Sequence, residues 1–167
     1  MNFSYHLPTK ILFGFGSLEG LGEEVEGLGA KKALLVTDKV MEKTGIVSKV
    51  SARLDGLSYD VFDDVEPEPR LEVAERVAQK VRNSPYDLVL GLGGGSSLDM
   101  AKLAAGLATN EGEARRFVGS GLLSRKALPT IMLPTTAGTG AELTVTSMVT
   151  VEGHKRWINS PVLLPTV

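Results

Sequence analysis

Three consecutive glycines between an apolar run and a helix-forming segment restrict what this chain can fold into more than any other feature. Leu88–Leu90 are apolar, as is typical of a buried parallel strand, and Gly93–Gly95 precede a helix predicted from about Ser97 to Ala108. Glycine allows a positive φ and a close approach of the backbone to a ligand. A helix N-terminus adds unpaired amides and partial positive charge. The sequence therefore predicts a turn that binds phosphate.

This turn differs from two common phosphate-binding motifs. The third glycine of G-x-G-x-x-G would fall at Ser96, and no Gly-Lys-Ser/Thr ends the turn as it does in a Walker A loop. The hydroxyls of Ser96 and Ser97 can donate to a phosphate or cap the helix. The alternative is an ordinary strand-to-helix turn. Three consecutive glycines argue against it, because each glycine loses more backbone entropy on folding than another residue would. Asp99 and Lys102, three apart, either pair on the helix or contact the ligand.

Segments typical of strands and helices alternate along the chain. The predicted strands are Lys10–Gly16, Ala33–Thr37, Tyr59–Phe62, Tyr86–Leu90 and Ala127–Leu133. The other predicted helices are Leu18–Leu28 with Ser17 as N-cap, Val40–Lys43, Ile46–Leu57 and Leu71–Arg82. Leu143–Val151 and Arg156–Asn159 alternate as a hairpin around Glu152–His154. We predict an α/β fold with a doubly wound, mostly parallel sheet and a β-hairpin near the C-terminus.

Composition argues against several classes of function. The net charge of −2 and the aromatic content of 5% do not favour nucleic acid as a partner. No apolar run approaches the roughly 18 residues of a membrane span, and the opening segment from Met1 to His6 has no secretion signal. With no cysteine there is neither a disulfide nor a thiolate metal site. We expect a cytoplasmic protein without a membrane partner.

The last residues of the chain are unusually apolar. Ser160–Val167 contain neither a helix signal nor a turn closure, whereas termini are usually polar and frayed. We therefore expect a fragment, natural or made, whose second domain is missing. The apolar side chains of this stretch should then be exposed and favour self-association; they are Val162, Leu163, Leu164 and Val167.

A second cluster of small and hydroxylated residues follows the last predicted parallel strand. Pro134–Glu142 contain Thr135, Thr136 and Thr139 together with two glycines. Ligands of open α/β sheets lie outside the carboxyl ends of the strands, so two such loops can contact one extended ligand. Taken alone, this loop is equally compatible with ordinary turns.

Together the two clusters resemble the iron-containing (group III) alcohol dehydrogenases. Gly93–Lys102, followed by Pro134–Glu142, is similar to that family's paired motifs, and the likeness extends over Phe13–Leu18 and Lys155–Pro165. It implies that residues 1–167 form one dinucleotide-binding domain, Rossmann-like and similar to dehydroquinate synthase. Dehydroquinate synthases and glycerol-phosphate dehydrogenases share the first motif but usually vary the second.

The resemblance also implies which residues contact the dinucleotide. The diphosphate would lie on Gly94, Gly95 and Ser96, and the nicotinamide and its ribose near Thr135, Thr136, Thr139 and Lys155. Asp38 would accept from the adenosine ribose, which favours NAD over NADP because a carboxylate repels a 2′-phosphate. From the residues alone, Asp38 is equally well a helix cap. The family often has Asn where this chain has Glu68. The hydrogen bond that this Asn would make on the adenine side of the dinucleotide is therefore not expected with certainty here, and the alternative is that Glu68 is an exposed turn residue.

The chemistry of the family needs a divalent metal, iron or zinc, that polarises the alcohol oxygen. Its ligands, one Asp and three His, lie in a C-terminal helical domain that this chain lacks. His6 and His154 have no partner at ligand spacing, so we expect neither a metal site nor a catalytic residue here. The predicted function is the NAD(P)-binding domain of a dehydrogenase acting on a small alcohol or aldehyde, inactive alone.

Two alternatives remain open from the sequence. The chain can be a non-catalytic module for nucleotide binding or assembly. It can also belong to a related glycerol or glycerol-phosphate dehydrogenase, or to a protein of the dehydroquinate synthase type.

Overall fold

The computed structural model describes residues 2–4 and 6–167; Met1 and Tyr5, both in the segment examined for a secretion signal, lie outside the described residues. The α-helices are α1 (Leu21–Gly27), α2 (Lys39–Lys43), α3 (Ile46–Ser51), α4 (Leu71–Arg82) and α5 (Gly95–Thr109). The strands are β1 (Lys32–Val36), β2 (Ser58–Phe62), β3 (Leu88–Gly93), β4 (Gly119–Ser120), β5 (Thr130–Pro134), β6 (Thr146–Val151) and β7 (His154–Asn159). Short 3-10 helices cover Ser17–Gly20, Ala114–Phe117, Ala141–Leu143 and Pro161–Leu163.

The main sheet has four parallel strands in the order β2-β1-β3-β5. Its central strands are buried on both faces, which explains their continuous apolar sequences. Leu34 and Val89 pack on the side of α4 and α5, whereas Leu35 and Leu90 pack on the side of α1 and α3. The predicted doubly wound α/β fold is confirmed.

A second sheet of three strands covers the outer side of α5. Its order is β4-β7-β6, and β6 and β7 form the predicted antiparallel hairpin, with Met148 opposite Trp157. The turn is shorter than expected, because His154 is the first residue of β7 and pairs with Val151. In the part of the chain that is described, no helix has both the length and the apolar content that a membrane span requires.

The strand predicted over Lys10–Gly16 is wrong. These residues form a loop, in which the Lys10 amide donates to the Thr166 carbonyl at 3.0 Å, and the glycines bend the chain away, Gly16 having a φ of 77°. Ser17 is likewise not an N-cap but the first residue of a 3-10 helix. The helix predicted over Ile46–Leu57 ends early, at Ser51.

The expected exposure of the C-terminal side chains is wrong for Leu163, which is 2% exposed. It fills the space beside Gly106 in α5, where an added Cβ would lie 2.6 Å from its Cδ2 atom. Val162, Leu164 and Val167 are half-buried. The end of the chain runs along β5, since the Met132 amide donates to the Val167 carbonyl at 2.9 Å. Local sequence does not reveal such distant partners.

A buried tyrosine joins β2 to the loop before β3. The Tyr86 hydroxyl donates to Asp60 at 2.7 Å, and Lys32 lies 3.2 Å from the same carboxylate and 4.8 Å from the centre of the tyrosine ring. Burial, reinforced by this hydrogen bond to a carboxylate, raises the pKa of Tyr86 to about 12. The phenol is therefore the favoured form in the folded state over an unusually wide range of pH.

We predict that Tyr86→Phe lowers stability below about pH 10 but not at strongly alkaline pH. Because the folded pKa is raised, the contribution of Tyr86 is complete below the unfolded pKa and is lost as the pH rises through about 12. Urea unfolding of both proteins along a pH series measures the difference. A difference that persists unchanged above the folded pKa would contradict the assignment.

Candidate functional site

The carboxyl ends of β1, β3 and β5 lie at one edge of the main sheet. Val36 pairs with Gly91, and Gly93 pairs with Pro134, so the three strands end side by side. The segments that follow, beginning at Thr37, Gly94 and Thr135, leave the sheet at this edge. Ligands bind at this edge in open α/β sheets, and both predicted loops lie here.

The three glycines of the turn have different roles. Gly93 has a φ of 134°, which a side chain would disfavour. A Cβ on Gly95 would lie 2.7 Å from the Thr139 side chain, so Gly95 is required by packing between the two loops. A Cβ on Gly94 would meet only Thr136, at an ordinary 3.5 Å, and Gly94 has the extended backbone of an N-cap. The structure thus leaves space in front of Gly94.

The amides of this turn are free to bind an acceptor. Helix α5 is 15 residues long and begins at Gly95 without a side-chain cap. Among the described residues, none accepts from the amides of Gly94, Gly95 or Ser96. These amides and the positive end of the helix form a place where a negatively charged group is stabilised.

Asp38 lies beside the glycine turn and also caps α2. One of its oxygens, Oδ1, accepts from the amides of Val40 and Met41 at 2.8 and 3.1 Å. The other, Oδ2, accepts from the Ser97 hydroxyl at 3.2 Å. The predicted cap is confirmed, and its second oxygen faces the turn. Ser97 is 1% exposed and donates to Asp38, so its hydroxyl does not face a ligand.

Asp99 and Lys102 form the ion pair that their spacing predicted, with 3.0 Å between Lys102 Nζ and Asp99 Oδ1. The pair is buried and joins α5 to β6: Lys102 donates to the Thr146 carbonyl at 2.6 Å, and Asp99 accepts from the Met148 amide at 2.9 Å. Burial raises the pKa of Asp99 and lowers the pKa of Lys102, and their mutual attraction opposes both shifts.

A cleft of about 470 Å³ lies between the start of α5, the second loop and the hairpin. Gly95, Ser96, Asp99 and Thr139 form one part of its wall, and Lys155 lies at its mouth. Thr136 is close to Gly94, and both Thr135 and Thr136 line a separate groove of about 840 Å³. The structure therefore brings Gly95, Ser96, Thr139 and Lys155 together around the cleft and places Thr135, Thr136 and Asp38 outside it.

One contact at the mouth of this cleft was not predicted. Glu68 Oε1 lies 2.6 Å from Lys155 Nζ, and both side chains line the cleft. No spacing rule connects a turn before α4 with a strand of the hairpin. The only signal was that Glu68 stands where the resembling family often has Asn.

The parallel sheet with its glycine turn defines a Rossmann-like domain. The chain belongs to a particular family within that class: residues 8–167 match the model for iron-containing alcohol dehydrogenases. The predicted resemblance is thereby confirmed.

Curated relatives agree with this family. Long-chain-alcohol dehydrogenase 1 of Geobacillus thermodenitrificans is 43% identical over 165 residues, which are 96% of this chain and 42% of that protein. The 4-hydroxybutyrate dehydrogenase of Cupriavidus necator is 36% identical over 99% of this chain and 44% of its own length. The chain thus spans less than half the length of these relatives.

Solved structures have the same fold. A 1,3-propanediol oxidoreductase superposes with a TM-score of 0.92 at 34% identity, covering 100% of this chain and 45% of its own. A sulfoacetaldehyde reductase from Bifidobacterium kashiwanohense, solved in complex with NAD+, also gives 0.92, at 32% identity over 100% of this chain and 45% of its own.

We predict that Lys102→Met lowers the free energy of unfolding by about 3–5 kcal/mol, because it leaves the buried Asp99 carboxylate without its cation. The double variant Asp99→Asn/Lys102→Met should recover part of the loss. Lys43→Met, at an exposed lysine of α2, serves as the control and should change stability by less than about 0.5 kcal/mol. Urea unfolding measures all three; equal losses for Lys102→Met and Lys43→Met would contradict the role of the pair.

Proposed function

We propose that this chain binds NAD as the cofactor domain of a metal-dependent alcohol dehydrogenase. The diphosphate binds to the amides of Gly94, Gly95 and Ser96. The observation that supports this most directly is that these amides have no acceptor among the described residues and stand at the N-terminus of α5. Residues 1–167 belong to this dinucleotide-binding domain.

The surroundings of the turn fit a dinucleotide. The extended backbone and open space at Gly94 admit a phosphate next to the chain. Thr139 lines the cleft beside the start of α5, where the nicotinamide and its ribose would follow, and Thr136 lies against Gly94 on the side of the neighbouring groove. Thr135, at the start of the same loop, faces the neighbouring groove and approaches the nicotinamide from there. Lys155 contacts the nicotinamide ribose.

Asp38 selects NAD over NADP. Its Oδ1 is held by the cap of α2, so the orientation of the carboxylate is fixed before a ligand arrives. Its Oδ2 accepts a hydrogen bond from the Ser97 hydroxyl, and it can accept one from the 2′-hydroxyl of the adenosine ribose instead. A 2′-phosphate in the same place would be repelled.

The complete enzyme oxidises a small alcohol or reduces the corresponding aldehyde. When bound, NAD would supply the hydride acceptor, and an iron or zinc ion, which we expect outside this chain, would polarise the alcohol oxygen. This chain supplies the binding and orientation of the dinucleotide. We expect it to bind NAD without turnover.

We further propose a cytoplasmic protein whose copies associate. The support for association is the exposed aromatic pair Phe13 and Phe15, which are 98% and 112% exposed and line the groove of about 840 Å³. Of the C-terminal side chains that the sequence indicated, Val167 also lines this groove.

We predict that Gly94→Val weakens NAD binding by about tenfold to a hundredfold, because the side chain occupies the space of the phosphate and blocks charge-assisted hydrogen bonds. The fold should be retained, since a Cβ at Gly94 makes only ordinary contacts. Calorimetric titration with NAD measures the dissociation constant, and thermal unfolding checks the fold. Gly27→Val, where an added Cβ meets no atom within 4 Å, is the control. Equal affinities for the two variants would refute the site.

We predict that Asp38→Asn raises the affinity for NADP relative to NAD by about tenfold or more, because the charge that repels a 2′-phosphate is removed. The amide oxygen still accepts from the helix amides, so the cap is kept. Asp55→Asn, at an exposed position away from the turn, controls for net charge. Dissociation constants for both dinucleotides decide the matter; an unchanged ratio would exclude Asp38 from cofactor selection.

A further inference from the structure

The last two residues extend the main sheet beyond β5. The Val167 amide donates to the Thr130 carbonyl at 3.1 Å, and the Met132 amide donates to the Val167 carbonyl at 2.9 Å. This is the hydrogen-bond pattern of two parallel strands. On the other side of the same segment lies the N-terminal loop, because the Lys10 amide donates to the Thr166 carbonyl at 3.0 Å. Thr166 and Val167 therefore lie as a strand would, between β5 and this loop.

A groove continues the line of these two residues. It has a volume of about 840 Å³ and lies between Ile11–Phe13 on one side and Ile131–Pro134 on the other. The Met132 carbonyl faces it, because the N–H and C=O of one strand residue point to the same side and the Met132 amide already bonds the terminal segment. Within residues 2–4 and 6–167, no group donates to the carbonyl of Met132 or Lys10, and none accepts from the Leu12 amide. Both sides of the groove thus present free backbone groups.

The lining of the groove matches one face of a strand. Side chains of the first 3-10 helix, α1, α3, β3 and β5 form an apolar floor; they are Leu18, Leu21, Val50, Leu92, Ile131 and Leu133. Its charged residues are Lys10 and Glu24, which form an ion pair, and Glu142, which is attracted to Lys102. Alternate side chains of a strand point to opposite faces, so every second residue of an occupant meets the floor. The groove therefore suits a segment of low charge with apolar residues at alternate positions.

We propose that the groove binds an extended peptide as a strand parallel to β5. The peptide amides donate to the carbonyls of Met132 and Lys10, and a peptide carbonyl accepts from the Leu12 amide. In such strand addition the main-chain hydrogen bonds give affinity and the alternate side chains give specificity. Pro134 has no amide hydrogen, so the pairing with β5 ends there and the bound segment is short. The binding does not depend on a dinucleotide.

Two other occupants fit the groove less well. A hydrocarbon ligand would cover the apolar floor but would leave the backbone groups on both sides without partners. A folded second copy would bring the edge of a sheet, and an edge pairs with one side of the groove only. A single extended segment pairs with both sides. Phe13 and Phe15 line the same groove, so association of copies through them would compete with the peptide.

Two peptides with identical side chains test the inference. Acetyl-Thr-Val-Thr-Val-Thr-Val-amide is uncharged and has valine at alternate positions; in its second form the valine amides are N-methylated. Val167 packs toward the floor while its amide faces β5, so the floor-facing valines are the residues that donate to β5. We expect calorimetry to show saturable binding of the first peptide and an affinity at least about tenfold lower for the second, because the hydrogen bonds to β5 are lost. Equal affinities would overturn strand addition.

Ile11→Glu and Val40→Glu form a matched pair of variants. Both residues have exposed aliphatic side chains, at 53% and 60%, but only Ile11 lines the groove. A carboxylate at position 11 places a charge beside the apolar floor, which disfavours the peptide. We expect Ile11→Glu to weaken binding of the unmethylated peptide about tenfold and Val40→Glu to leave it unchanged, with thermal unfolding as the check on both folds. If the two variants lose affinity equally, the inference is wrong.

The remaining outcomes separate this inference from the other proposals. Gly94→Val should lose affinity for NAD and keep the peptide affinity of the wild type, so either site can fail without the other. Sedimentation velocity gives the state of association, and a peptide that dissociates associated copies supports the groove as the shared site. If the wild-type chain binds neither peptide, whatever its state of association, the inference is overturned.

Discussion

The buried ion pair of Asp99 and Lys102 holds the site in its geometry. Lys102 is 1% exposed, and its charge is balanced by Asp99, by Glu142 and by oxygens of the segment that leads into β6. In a medium of low dielectric such a pair is held tightly, because either charge alone would be costly. The pair thereby fixes the N-terminal half of α5 relative to the hairpin.

Within the glycine run, neighbouring residues meet different requirements: two are needed for packing and backbone conformation, and the third is where we propose that a ligand binds. Gly95 is needed because Thr139 occupies the space of its side chain, and Gly93 is needed for its backbone angle. Gly94 is free of both demands, and only the proposed binding of a ligand would require its side chain to be missing. A similar division is present in Asp38, where one oxygen serves the helix and the other faces the turn.

Much of the fold could be predicted because its signals are local. The apolar run of β3, the amphipathic face of α4 and the glycine turn each depend on residues close in sequence. The failures involve partners distant in sequence. Whether Lys10–Gly16 is a strand depends on having a neighbour to pair with, and the burial of Leu163 depends on a glycine in α5. The contact of Glu68 with Lys155 joins two parts of the chain that no pattern relates.

The contact of Leu163 with Gly106 also limits which sequences this fold accepts. The Cβ atom of any side chain at position 106 would lie 2.6 Å from a methyl carbon of Leu163, which is too close for two carbon atoms that are not bonded. The two positions therefore share one fixed volume. An alanine at 106 requires the Leu163 side chain to move or to be replaced by a smaller one, so substitutions at the two positions should be coupled.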